Sequence, residues 1–367
     1  MSNDELFYLL ALQKVKNVGD ISAKKLLLHF GSAQNIFEAA RTNQINIPDI
    51  GTVMIQSIKS FSDWKKVEKE ITFIEKNKIK TISIFDEAYP YKLSHSPDGP
   101  ILFFFKGNAN LNQKHIISIV GTRNITNYGK RMVNEIIEGL KDYNPLIVSG
   151  LAYGVDIEAH IQSLKNDLDT IAVLGHGFQR IYPNIHRKIS EKMVESGGLI
   201  TEFWHTDTVG RNNFLKRNRI IAGLSEATII IESGEKGGAL VTADIANSYN
   251  RDVFAVPGRA TDRFSKGCNN LIKQNKAAPI TQAQDIIDAL QWNPQKEESL
   301  PVQLNLFTDL NPDEQKIFDF LQQNGRISLD EIAISLQFPI SKTAQLLLQM
   351  EMNGIVSGLP GKEFELI

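Results

Sequence analysis

The 367-residue chain has a single cysteine, Cys268, so no internal disulfide can form and a cysteine-based zinc site is excluded. A reducing, cytoplasmic setting is expected. No apolar run approaches the roughly 18 residues that span a bilayer. The first residues, Met1-Ser2-Asn3-Asp4-Glu5, are acidic where a secretory signal is basic. There is no basic excess either: 40 Lys+Arg against 42 Asp+Glu leave a net charge of −2. The seven histidines never pair at metal-ligand spacing. Two phosphate-binding signatures are missing as well. No Gly-x-Gly-x-x-Gly follows the first parallel-type strand, since Gly121 has Arg123 two positions on. No Gly-x-x-x-x-Gly-Lys-Ser/Thr occurs, because Gly129-Lys130 continues with Arg131 and lacks the upstream glycine. An ordinary dinucleotide site and a P-loop nucleotide hydrolase are thereby set aside.

At roughly 150 residues per domain the length implies two to three domains. Composition shifts near residue 78, where a Lys-rich helical stretch gives way to strand-like runs. It shifts again over 291–310, where Gln291-Trp292-Asn293-Pro294-Gln295-Lys296-Glu297-Glu298 carries no periodicity and reads as the start of a linker. The resulting division is a helical segment 1–78, a central segment 79–290, a linker 291–310 and a C-terminal segment 311–367. Residues 1–78 hold 11 basic and 9 acidic side chains, residues 79–310 hold 25 of each, and residues 311–367 hold 4 and 8. The C-terminal segment alone is distinctly acidic.

Residues 5–78 show helical patterning only. Leu12, Val15 and Val18 lead into Gly19, and Ala23, Leu26, Leu27 and Phe30 recur at helical spacing before Gly31. A weaker copy follows at Ile47-Pro48-Asp49-Ile50-Gly51. Two helices joined by a tight glycine turn resemble a helix-hairpin-helix, whose turn amides can hold a DNA phosphate. The usual second glycine is replaced by Ile21. Packing on its own core and direct nucleic-acid contact both remain open for this segment.

The central segment alternates short apolar runs with amphipathic stretches. Strands are expected at 101–105, 116–120, 146–148, 171–174, 199–203, 227–231 and 253–256. Continuous apolar strands alternating with helices indicate a mostly parallel sheet covered on both faces, with ligands beyond the C-terminal strand ends. Those ends read Gly121-Thr122-Arg123, Ser149-Gly150-Leu151-Ala152, Gly175-His176-Gly177-Phe178 and Glu232-Ser233-Gly234-Glu235-Lys236-Gly237-Gly238. Glycine lets backbone approach a ligand, and the helix starts that follow favour an anion. The run Arg211-Asn212-Asn213-Phe214-Leu215-Lys216-Arg217-Asn218-Arg219 places four cations and no acid in the opening of one helix. Cations there oppose the helix dipole, a conflict relieved if both face one anion. Arg123, Arg180 and Arg187 stand on other strand-end loops, while Phe178 and Phe214 offer rings on which bases stack or serve as core. No catalytic set emerges. Asp156 reads as a helix-start cap or a turn-holding residue, His160 as a core histidine, and Cys268 has no histidine beside it.

These residues carry a family resemblance. Ile119-Val120-Gly121-Thr122-Arg123, the run from Val148-Ser149-Gly150 through Gly154-Val155-Asp156, and Thr170–Gly175 before Ile181-Tyr182-Pro183 are similar to the DNA-processing protein A (DprA, or Smf) family. So are Arg217-Asn218-Arg219-Ile220-Ile221-Ala222-Gly223-Leu224-Ser225, Gly237–Ala243 and Val256-Pro257-Gly258. The resemblance covers about residues 82–290. It implies an extended Rossmann-like domain that dimerises, flanked by helix-hairpin-helix/SAM-like and winged-helix modules. It also implies a cytoplasmic single-stranded DNA-binding protein of natural transformation that protects incoming strands and loads the RecA recombinase, without enzymatic turnover or cofactor. The family's DNA-contacting arginine maps onto Arg123, and its basic-then-aromatic pair onto Arg211 and Phe214. The nucleic-acid-binding set so implied, together with the strand-end and basic residues above, is Gly121, Thr122, Arg123, Ser149, Gly150, Phe178, Arg180, Arg211, Phe214, Lys216, Arg217, Asn218 and Arg219. One departure is Lys236-Gly237-Gly238-Ala239, where the family often has Ser-Gly-Ser.

A competing reading is a nucleotide-processing Rossmann enzyme resembling the lysine-decarboxylase-like phosphoribohydrolases. Those use Gly-Gly-x-Gly-Thr-x-x-Glu, and this chain has Gly237-Gly238-Ala239-Leu240-Val241-Thr242-Ala243-Asp244. Residues 311–367 read as three helices and a hairpin, a winged-helix pattern. A winged helix ordinarily sets its third helix in the major groove. Phosphate binding needs positive charge, so the acidity of this module favours a protein-contacting or structural role over a transcription factor's duplex reader.

Overall fold

The computed structural model describes residues 3–292, apart from 43 and 46, and residues 310–366, apart from 353, 354 and 360–362. The chain forms two compact units, residues 1–295 and 296–367. The expected linker over 291–310 falls almost wholly outside the described residues. Among those described, no helix is long and apolar enough to cross a membrane.

The first unit opens with five helices: α1 (Asn3–Lys14), α2 (Asp20–Phe30), α3 (Ala33–Arg41), α4 (Thr52–Lys59) and α5 (Trp64–Lys76). Gly31 closes α2 in the left-handed region at φ 75°, where its amide caps the Leu27 carbonyl. Leu9, Leu12, Leu26, Leu27 and Ile36 form the core of this module, and that core runs on into Ile101, Leu102, Phe104 and Trp204. The turn before α2 is set against the α/β part: the Asp20 carboxylate accepts from the Ile101 amide at 3.1 Å and pairs with Arg219 at 2.9 Å.

Next come β1 (Lys80–Ser83), α6 (Tyr91–Ser94), β2 (Leu102–Gly107), β3 (Ile116–Val120), α7 (Asn127–Gly139), β4 (Leu146–Ser149) and α8 (Val155–Lys165). The chain continues through β5 (Thr170–Val173), α9 (Arg187–Glu195), β6 (Gly197–Thr201), α10 (Arg211–Leu224), β7 (Ala227–Ile230) and α11 (Gly238–Ser248). It ends with β8 (Asp252–Ala255), α12 (Lys266–Lys273), β9 (Ala278–Pro279) and α13 (Ala283–Ala289). All seven expected strands are present within two residues of their expected limits, and two short edge strands, β1 and β9, join them.

The sheet order is β1-β2-β6-β5-β4-β3-β7-β8-β9, antiparallel across β1/β2 and β2/β6 and parallel elsewhere. Both faces are covered. Phe103, Val148, Val173 and Ile220 pack on one side, and Ile119, Val133, Ile136 and Ile229 on the other. From β3 the chain builds outward through β4, β5 and β6, then returns to add β7, β8 and β9 on the other side. Strand order therefore reverses at β3/β7, and such a reversal opens a crevice beyond the strand ends.

The second unit has α14 (Pro312–Asn324), β10 (Ile327–Ser328), α15 (Leu329–Ser335), α16 (Ile340–Met352), β11 (Val356–Leu359) and β12 (Glu363–Leu366). Asn311 and Glu314 form a capping box ahead of Pro312, and the Ser328 hydroxyl accepts from the Glu331 amide. Ile317, Leu321, Ile332 and Leu347 make its core. Strands β11 and β12 form the wing, and β10 pairs with β12, which completes a winged-helix domain.

One polar cluster holds the helical module on the sheet. Arg219 on α10 pairs with Asp20 at 2.9 Å and with Glu202, the latter two side chains being 23% and 11% exposed. Burial pushes the Glu202 carboxyl up to about 6, and Arg219 pulls against it. Arg219→Ala strands these acids beside the sheet and is expected to destabilise the first unit by about 3–5 kcal/mol, read from the urea midpoint. The triple change Arg219→Met/Glu202→Met/Asp20→Asn, which leaves no carboxylate stranded and keeps an acceptor for the Ile101 amide, should cost far less.

Candidate nucleic-acid interface

At the β3/β7 reversal lies a cavity of about 980 Å³. Three of its walls are helix starts: Asp156 in the first turn of α8, Arg211 at the start of α10 and Gly238 at the start of α11. The positive dipole ends of three helices therefore border this space, an arrangement that favours an anion. The turn after β3 supplies Gly121, Thr122 and Arg123, and the turn after β7 supplies Ser233 through Gly237. Arg123, Arg211, Arg217, Lys236, Arg263 and Lys266 line the cavity against two acids, Asp156 and Glu235. Charge is therefore concentrated here in a region whose sum over residues 79–310 is zero. Five of the six cations are exposed, and among the described residues none of those five holds an ion pair.

The sixth, Arg217, is 4% exposed. Its Nη1 donates to the Gly150 and Val173 carbonyls, both at 2.6 Å, while its Nε has no protein partner. A Cβ at Gly150 would lie 2.0 Å from Arg217 Nη1, so a larger residue there displaces the guanidinium. Burial pulls the Arg217 pKa down to about 10 and Asp156 pushes it back, so the group stays cationic at neutral pH. Asp156 accepts from the Ala152 amide at 3.4 Å, and burial pushes its carboxyl above the usual range while Arg217 opposes the shift.

Phe214 stands over this arginine. Its ring centroid is 5.8 Å from the Arg217 guanidinium carbon and 5.5 Å from that of Arg123, within cation–π reach of both. Gly175 makes room for the ring, since a Cβ would meet Phe214 Cδ1 at 2.8 Å. Tyr182, 43% exposed, lies 6.1 Å away and extends the aromatic surface. The site thus combines an aromatic platform, a cationic rim and helix-end amides.

Of the residues expected from the sequence, Gly121, Thr122, Arg123, Arg211, Phe214, Arg217 and Asn218 come together here. The others do not line the cavity. Ser149 is buried and donates to the Ile119 carbonyl, and Gly150 acts from behind through its carbonyl. Phe178 packs into the core beside α1–α5, and Arg180 stands exposed outside the cavity. Lys216 and Arg219 are rotated away from it. At about 100° per residue, positions 216, 217 and 219 of one helix cannot face one ligand. Lys216 lines a separate small cavity beside Asp20 and Asp207, and Arg219 is engaged by Asp20 and Glu202. Lys236, Arg263, Lys266, Tyr182 and the cavity-facing role of Asp156 are not marked by any local pattern, because they stand on loops and helix starts whose convergence only the sheet topology sets.

Two groups with reactive potential are tied down. The His160 ring is buried, shares a 2.7 Å hydrogen bond with Thr170 Oγ1, and is driven down to about 3 by burial, which makes it a neutral core histidine as expected. Burial pushes the Cys268 thiol up to about 12, so it carries no thiolate at neutral pH. Asp244, which stands where the competing enzyme motif has its glutamate, does not line the cavity and pairs with Lys276 at 2.8 Å.

The elevated Asp156 carboxyl sets a pH dependence. When pH falls through its raised pKa, the cavity floor loses a negative charge that opposes a phosphate. Affinity for an oligonucleotide is therefore expected to rise as pH is lowered through that raised pKa. Asp156→Asn, which keeps the acceptor for the Ala152 amide, should flatten that profile in an anisotropy titration.

The sequence profile described as DNA recombination-mediator protein A matches residues 80–291, and that of the DprA winged helix domain matches residues 307–362. Protein Smf of Synechocystis is 32% identical over the whole of both chains. The DNA processing protein DprA of Streptococcus pneumoniae is 37% identical over 58% of this chain and 75% of its own. The X-ray structure of the Streptococcus pneumoniae protein superposes with a TM-score of 0.66 at 30% identity, covering 78% of this chain and 98% of that one. DNA processing protein A from Helicobacter pylori, solved for its single-stranded DNA binding mode, superposes at 0.53 with 28% identity over 58% of this chain and 96% of its own. With the profile spanning more than half the residues and a relative matching end to end, the chain belongs to the DNA recombination-mediator protein A family, the DprA/Smf proteins.

Proposed function

We propose that this protein binds single-stranded DNA in the β3/β7 crevice and acts as a recombination mediator, protecting incoming strands and loading a RecA-type recombinase onto them. It does so as a homodimer through the α/β domain and without chemical turnover. The observation that carries the reading is Phe214 within cation–π distance of Arg123 and Arg217 inside a cavity with six cationic side chains. A ring beside cations fits stacked bases and a phosphodiester chain of any sequence, and such stacking contributes about 1–3 kcal/mol per base. The Helicobacter pylori relative, described by its single-stranded DNA binding mode, supports the same ligand. The nucleotide-processing alternative loses its acid, since Asp244 lies outside the cavity.

The winged helix is assigned a protein-contacting or structural role. Its third helix, α16, has one cation, Lys342, which pairs with Asp313 at 2.5 Å, and the module remains acidic.

Fluorescence anisotropy of labelled poly-dT against its duplex, across a salt series, tests the reading. Preference for the single strand is expected, with affinity falling as salt rises. Arg123→Ala should weaken binding and lower the log–log salt slope by about 0.7, the share of one phosphate contact on a single strand. Equal binding by the variant, or no preference over duplex, overturns it. Removing residues 296–367 should leave strand affinity unchanged. Recombinase loading is read separately, as faster filament assembly on strands precoated with single-strand-binding protein.

A further inference from the structure

The segment that joins β6 to α10, residues 202–210, leads straight into Arg211 and Phe214. It has little structure of its own, yet the helical module grips it at three points. The Glu70 carboxylate on α5, 2% exposed, accepts from the His205 amide at 3.0 and 3.2 Å and also bonds its ring Nδ1. Phe73, one turn on, stacks on that imidazole at 4.3 Å with an interplanar angle of 11°. From α1, Lys14 pairs with Asp207 at 2.6 Å and lies 4.9 Å over the Trp204 ring. Gln13 accepts from Trp204 Nε1 at 3.2 Å while donating to the Leu102 carbonyl on β2 at 2.7 Å.

The far side of the loop meets the strand-end turn. The Gly177 amide donates to the Asp207 carbonyl at 3.2 Å, and Asn213 Nδ2, within the first turn of α10, donates to the Thr208 carbonyl at 3.0 Å. The loop is thus held between α1/α5 and the β5 end. None of Gln13, Lys14, Glu70 or Phe73 lines the crevice. A buried glutamate receiving one backbone amide and one imidazole from a loop is costly unless that loop must keep one course.

We propose that the N-terminal helical module braces the strand-binding face, with Glu70, Lys14 and Gln13 as positioning residues that hold the 202–210 loop and so fix Arg211 and Phe214. The inference rests on the single-strand reading for its functional readout. The module need not touch the nucleic acid. Its effect passes through one wall of the crevice only, since Lys236 and Arg263 stand on loops, and Lys266 on the start of α12, that it does not hold.

The test uses the full chain. Poly-dT affinity is measured for Lys14→Ala, Glu70→Ala and the double variant, each in three backgrounds: wild type, Arg211→Ala/Phe214→Ala and Lys266→Ala. Hydrogen exchange of the amides of residues 204–215 is followed in the same proteins without DNA. In the wild-type and Lys266→Ala backgrounds the double variant is expected to weaken binding about three- to ten-fold. In the Arg211→Ala/Phe214→Ala background the loss should shrink below about two-fold, because the residues it positions are gone. Exchange at 204–215 should quicken while that of β3, β4 and β7 stays at the wild-type rate. An unchanged affinity, or an equal loss in all three backgrounds, overturns the brace. Should Glu70→Ala unfold the module, Lys14→Ala and Gln13→Ala on the partly exposed side carry the same cycle. If the wild type fails to bind poly-dT, the single-strand reading falls, and the exchange rates alone decide whether the module orders the loop.

Discussion

The structure depends on a guanidinium that is almost wholly buried. Arg217 ties α10 to the C-terminal ends of β4 and β5 through the Gly150 and Val173 carbonyls, with the Asp156 carboxylate near enough to offset its charge. Two carbonyls and a neighbouring acid make such burial tolerable, and they do so in one orientation only. That orientation sets the rotation of α10 about its axis. With Arg217 pinned inward, Phe214 falls over Gly175 and Arg211 at the crevice mouth. Arg219 is turned toward Glu202 and Asp20, where the helical module docks. One buried charge therefore decides both which side chains a ligand meets and where the neighbouring module sits.

Much of this was legible in the sequence. The interior strands are runs such as Ile116–Val120 and Ala227–Ile230, apolar on both faces, and nothing but a covered parallel sheet explains several of them in alternation with helices. The edge strand β1, Lys80–Ser83, went unseen because it is short, polar at its start and half solvated. The crevice itself was foreseeable from glycine turns at strand ends. Membership of the cation cluster was not. A run of four basic residues on one helix announces charge, but which of them faces the ligand depends on the helix's rotation against the sheet, and that is a tertiary quantity. Arg263 and Lys266 lie more than 40 positions beyond Arg217 in sequence, and only the β7–β8 crossover brings them opposite it.

Asp156 shows the same limit from another side. At the start of a helix after Gly154, a carboxylate that caps the helix or holds the turn is the natural expectation; the helix has no side-chain cap, and Asp156 holds the turn through the Ala152 amide. Burial beside Arg217 adds a second property that no local pattern encodes. The helix-hairpin-helix turn is the converse case. Its pattern suggests an open phosphate cradle, whereas Asp20 links that turn to Ile101 and Arg219. Local motifs describe what a turn is able to do, and packing decides what it faces.

The contrast between a cation-rich cleft and a chain of net charge −2 has a kinetic consequence. At physiological ionic strength a field decays over about 8 Å, so the six cations are felt only by a strand already at the cleft mouth. Beyond that distance a polyanion meets a neutral to slightly repulsive surface. Long-range steering and sliding along duplex, which basic proteins draw from their overall field, are unavailable here. Under the single-strand reading proposed above, encounter would then proceed by ordinary diffusion, with discrimination exercised at contact, by whether bases are free to leave their partners and lie against an aromatic ring.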